Sequence, residues 1–101
     1  MSAPRIDLLP EANFEIQESF EWYLERSPRA AESFLFEIDR GIQAVLDSPM
    51  QWPPFEAGTR RYLLRNFPFN IIYRVEKDRT LVVAVAHHKR KPGYWRSRGD
   101  A

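Results

Sequence analysis

The residues able to do chemistry crowd into the second half of this chain. Arg60, Arg61 and Arg65 come first, Arg74 follows, and His87-His88-Lys89-Arg90-Lys91-Pro92-Gly93-Tyr94-Trp95-Arg96-Ser97-Arg98 closes the run. Guanidinium groups neutralise phosphates or carboxylates, and aromatic rings beside them stack on bases or fill a partner's pocket. A nucleic acid and an acidic protein segment both fit such a surface. So does a solvated sheet face whose arginines discourage edge-to-edge pairing. His87 and His88 are adjacent, so on a strand their side chains point to opposite faces and do not easily share a metal. His87 reads as structural or solvent-facing, and His88 opens the basic tail. The chain has no Gly-rich phosphate loop, no HExxH and no Gly-x-Ser-x-Gly, and its carboxylates fall at spacings typical of solvated helix faces. No metal and no cofactor is expected.

The overall charge of +1 conceals a partition. Up to Gly58 the chain carries four basic and eleven acidic residues, a net of −7, whereas from Thr59 onward eleven basic residues face three acidic ones, a net of +8. A local basic surface therefore remains available to an anionic partner. The 101 residues amount to one ordinary domain, 1–101, and the 44% hydrophobic and 14% aromatic content is enough for a packed interior. Cysteine is absent, which removes disulfides and thiolate metal sites. No signal-peptide run and no stretch near the roughly 20 apolar residues of a membrane span is present, so the expected location is the cytoplasm, away from any membrane.

Elements that must carry these residues follow from periodicity. Ile6 to Leu9 reads as a short strand or extended arm ended by Pro10. Pro10 and Glu11 suit a helix start, and Ala12, Ile16, Phe20 and Tyr23 or Leu24 recur at helical steps, predicting a helix over about 10–25. Ser27-Pro28 repeats the start signal. Ala31, Phe34, Leu35, Ile38, Ile42, Val45 and Leu46 then mark one stripe until Ser48-Pro49, which makes a helical hairpin. Trp22, Tyr23 and Trp52 read as packing residues. After a Pro-rich connector the period becomes 2, predicting strands at Tyr62–Leu64, Phe69–Val75 and Thr80–His87, with Leu81 to Ala86 central. Short breaks make the pairings antiparallel hairpins. The fold class is α+β: an N-terminal strand and a helical hairpin on a small, mainly antiparallel β-sheet, followed by a basic C-terminal tail.

Pro10-Glu11-Ala12, Tyr23, Leu46 to Pro49, Arg61, the block Phe67-Pro68-Phe69-Asn70-Ile71-Ile72-Tyr73-Arg74-Val75 and the block Val83 to Trp95 together resemble the RelE/ParE superfamily of bacterial type II toxins. The likeness runs over nearly the whole chain, is strongest to the ParE-like plasmid-stabilisation branch, and is most specific in the last two blocks. It implies a helical hairpin on a mainly antiparallel sheet, and a toxin neutralised in a hetero-oligomer by a cognate antitoxin whose C-terminal segment wraps it. ParE-like members bind and poison DNA gyrase without chemistry of their own. RelE-like members cut mRNA on the ribosome with basic residues and often a C-terminal tyrosine.

In RelE-like proteins an arginine commonly precedes the hydrophobic-hydrophobic-Tyr of the middle strand, a place occupied here by Asn70. His88 corresponds to a later basic position and Tyr94 to the C-terminal tyrosine. The resemblance thus favours a gyrase-binding toxin that is not an enzyme. The alternatives are a metal-independent, ribosome-dependent endonuclease and a non-toxic interaction module. A nuclease needs a base, cations for the phosphorane and an acid for the leaving oxygen; Arg65, His88, Arg90 and Tyr94 are the candidates. The expected antitoxin- and target-binding residues are Arg60, Arg61, Arg65, Arg74, Arg90, Tyr94, Trp95 and Arg96.

Overall fold

Proline starts both helices. A computed structural model describes residues 4–99, so Asp100, counted in the basic half, and the other terminal residues of 1–101 lie outside the described residues. Pro10–Arg26 form α1 and Pro28–Asp47 form α2, each with proline in its first turn. Ser27 alone joins them. Its N–H donates to the Tyr23 carbonyl at 2.7 Å and closes α1, while its Oγ accepts the Ala30 N–H at 3.2 Å and caps α2. One residue therefore turns the chain into the expected hairpin.

The strands are β1 (Ile6–Leu8), β2 (Arg60–Leu63), β3 (Phe69–Val75) and β4 (Thr80–His87), in sheet order β1-β4-β3-β2. β2–β3 and β3–β4 are antiparallel, and β1 runs parallel to β4, with Ile6 opposite Thr80 and Leu8 opposite Val82. β2 starts at Arg60 rather than Tyr62, because Arg60 and Arg61 already pair with Tyr73 and Ile72 of β3. It ends at Leu63 because Leu64 turns inward, its N–H meeting the Phe69 carbonyl at 3.0 Å to close the hairpin.

Both faces of the sheet are covered, which is why β4 reads as a continuous apolar run. Under the hairpin, Ala12, Phe34, Ile38 and Val45 meet Ile71, Tyr73, Val82 and Val85. Phe34, Tyr23, Phe67 and Phe69 pack edge to face or tilted there, with centroids 5.1–6.5 Å apart. Gly41 lets α2 approach closely: a Cβ there would sit 2.6 Å from the Ile71 Cδ1 and 2.9 Å from the Tyr62 Cε1. The opposite face carries Ile72, Leu81, Val83, Ala84 and Ala86. Val83 and Ala84 share that face because the register shifts between Ile72, opposite Ala84, and Tyr73, opposite Val82. The unmatched Val83 is a bulge that resets the alternation.

Candidate functional site

Ala84 and Ala86 leave a shallow seat on that second face, and the tail fills it with Trp95, only 2% exposed. The Phe55 ring stacks on Trp95 at 5.4 Å, and Tyr94 meets it edge-on at 5.5 Å. Phe55 reaches this position through the Glu56–Gly58 turn, where Ala57 and Gly58 take left-handed backbone angles (φ 59° and 72°). Arg96 adds an exposed ion pair to Glu56 at 3.3 Å. Tail and connector thus form one cover over the sheet.

A second attachment lies at the sheet edge. β1 ends at Leu8, and among the described residues the Leu9 N–H on the Val82 carbonyl at 3.0 Å is the last backbone bond on that side of β4. Beyond it, side chains take over. Glu15 of α1 accepts four hydrogen bonds: from the Val85 N–H at 3.0 Å, the Tyr94 hydroxyl at 2.6 Å, and two Arg98 nitrogens at 2.9 and 3.2 Å. Arg98 also donates to the carbonyl of the bulged Val83 at 3.1 Å. Both partners are largely buried, with 11% of the Glu15 side chain and 17% of the Arg98 side chain exposed. Burial, and then the Glu15 carboxylate, push the Tyr94 hydroxyl well above its ordinary range, so it stays a donor. Burial works against the Arg98 charge, but the Glu15 hydrogen bond and charge outweigh it and hold the guanidinium above its usual value.

The sequence-predicted residues do not all come together. Arg90 and Tyr94 come together, the exposed guanidinium lying 3.9 Å over the ring, with Arg98 at 4.8 Å. Arg61 covers the Phe55 ring at 4.4 Å, and Arg74 donates to the Arg98 carbonyl at 2.9 Å, so both lie against the tail and its cover. Arg60 is turned to the connector, donating to the Trp52 carbonyl at 2.5 Å. Arg65 lines a groove between α2 and β2 with Phe36, Arg40 and Tyr62, apart from the cleft that holds Arg90. Its loop is fixed by Glu37, which accepts the Arg65 and Asn66 N–H groups at 2.9 and 3.1 Å. His88 is exposed just past β4, its N–H on the Pro68 carbonyl at 2.8 Å. Asn70 is buried on the second face, and its Oδ1 has no hydrogen-bond partner among the described residues. Arg61, Arg65, Lys89, Arg90 and Lys91 form no ion pair among the described residues.

Between α1 and the open end of β4 lies a cleft of about 720 Å³, walled by Trp22, Tyr23 and Phe69, with His87 and Arg90 at its rim. Burial, then the nearby Lys89 and His88 charges, lower the His87 pKa from its ordinary 6.5. The unfolded chain therefore binds this proton at higher pH than the folded one. The stability that the neutral ring contributes is full above about pH 6.5 and declines as pH falls through the lowered folded value. His87→Gln should flatten that part of the stability profile, read as urea midpoint against pH; an unchanged slope would remove the assignment.

That Glu15 and Phe55 hold the tail was not legible in the sequence. Glu15 looks like one more helix carboxylate, and the only signal is its place three residues after Ala12 on the buried side of α1. Compared with curated proteins, the sequence has no significant match. Among solved structures it is similar in fold to a chain of the chromosomal ParDE TA system from P. aeruginosa. That match has 16% identity and a TM-score of 0.75, and covers 84% of this chain and 96% of that one. A family model described as the ParE toxin of the type II toxin-antitoxin system, parDE, matches residues 6–92, and the chain belongs to that toxin family.

Proposed function

We propose that this protein is a growth-inhibiting toxin that acts in the cytoplasm by binding DNA gyrase and is held inactive in a hetero-oligomer by a cognate antitoxin. The observation that carries the choice of protein binding over RNA cleavage is the state of Tyr94. Its hydroxyl is committed to Glu15 and kept protonated, and Asn70 stands where RelE-like nucleases commonly have an arginine. A side chain fixed this way supports a recognition surface better than a proton-transfer site. Arg61, Arg65, Arg90 and Arg96, with Arg60 and Arg74 behind them, supply the cations that meet an acidic partner segment; Tyr94 and Trp95 hold the tail that presents them.

The test is supercoiling by purified gyrase. Added toxin should block it, and toxin premixed with its antitoxin should not. Intact supercoiling together with shortened, ribosome-associated mRNA would replace this reading with an endonuclease, and harmless expression without antitoxin would leave an interaction module.

A further inference from the structure

The feature that the proposed recognition surface does not itself use is the buried carboxylate of Glu15. It bridges all three parts that meet at the sheet edge: it belongs to α1, it takes the Val85 N–H of β4, and it takes both Tyr94 and Arg98 of the tail. Those two tail residues flank Trp95, whose indole N–H has no hydrogen-bond partner among the described residues. Packing therefore holds the Trp95 side chain, and packing is weakly directional; of the hydrogen bonds that tie Tyr94 and Arg98 to the sheet and α1, Glu15 takes three, and the Val83 carbonyl and Arg74 make one each. Arg90 lies on the ring whose hydroxyl Glu15 holds, and Arg74 bonds the carbonyl of the residue that Glu15 pairs. The placement of Arg90 is thus tied to one acid that lines the same cleft, and Arg74 touches the tail segment that this acid holds.

We infer that Glu15 is a positioning residue: it fixes the register of the tail against β4 and thereby the placement of Arg90 toward the target, while touching no target itself. The inference rests on the gyrase reading only for its activity readout. Glu15→Gln keeps an acceptor for Val85 and removes the charge that orders Tyr94 and Arg98. Exchange of the tail amides of Tyr94, Arg96 and Arg98, which are bonded within the tail at 3.4, 3.0 and 2.9 Å, should quicken by at least about tenfold relative to Ile71 and Ile72 of β3. The toxin concentration for half-inhibition of gyrase should rise with it.

A merely stabilising role is separated by a double variant. In Glu15→Gln the Arg98 charge is left without its partner, which lowers stability by itself. Adding Arg98→Met removes that charge and should restore the urea midpoint. It does not restore the bonds that orient the tail, so fast exchange and weak inhibition should persist. If the single variant does not fold, the double variant carries both measurements. Tail amides that exchange at the parent rate overturn the inference. So does inhibition that recovers along with stability, or inhibition that is unchanged by a loosened tail. If the parent protein itself leaves supercoiling intact, the gyrase reading fails while the exchange measurement still decides the role of Glu15.

Discussion

Trp95→Ala should cost about 3–5 kcal/mol of stability, measured by urea unfolding, because it empties the seat between Ala84, Ala86 and the Phe55 ring. A domain of this size has only about 5–15 kcal/mol in total, so the variant sits near the edge of folding. The sheet face it uncovers, Ile72, Leu81 and Val83, becomes an apolar patch open to self-association. Trp95→Phe separates two contributions. It removes the indole N–H, which has no hydrogen-bond partner among the described residues, and an unmet buried donor is worth about 1–3 kcal/mol against the fold. That gain offsets much of the smaller cavity, so the phenylalanine variant should lie close to the parent. A loss as large as that of alanine would show that the N–H has a partner in solution.

The second large effect concerns recognition. Reversing Arg61, Arg65 and Arg90 to glutamate together should weaken binding of the cognate antitoxin by at least about a hundredfold, mostly through slower association that no longer falls with added salt. Stability should fall by no more than about 1–2 kcal/mol, because none of the three forms an ion pair among the described residues. The folded state gives up the stacking of the Arg61 and Arg90 guanidinium groups over Phe55 and Tyr94, each about 0.5–1 kcal/mol at an exposed site. Titration calorimetry at two salt concentrations, with thermal unfolding as control, reads both. Full affinity in a folded triple variant would move the antitoxin to another surface.

Much of the architecture was legible from period alone. The helical stripe from Ala31 to Leu46, apart from the exposed Leu35, encodes the face it buries, because side-chain direction follows directly from backbone geometry, whereas β3 is buried on both faces from Phe69 to Tyr73 and its run marks a covered strand rather than one face. The apolar run of β4 encodes its central place, but not the bulge at Val83, since a residue inserted into a uniformly apolar segment changes no pattern. Nor does the sequence announce that β1 joins β4 in parallel, because three residues carry too little alternation to choose a partner. The site was half visible. Arg61, Arg90 and Tyr94 stand out by type, but whether a tail aromatic such as Trp95 packs inward or points to a partner depends on the size of residues opposite it. Glu15 stayed hidden for the same reason: its four donors come from strand and tail, far along the chain.

The parallel pairing of β1 with β4 also sets when the basic surface can be assembled during synthesis. The helical hairpin emerges first and has no sheet to lie on until β3 and β4 are made. β1 finds its neighbour only then, and Glu15 meets Arg98 across a separation of 83 residues. Long-range closures of this kind come late in folding. The tail that carries Arg90 is therefore tied down only after Arg98 has been made, so a polypeptide that stops short of Arg98 does not present the basic surface in this arrangement.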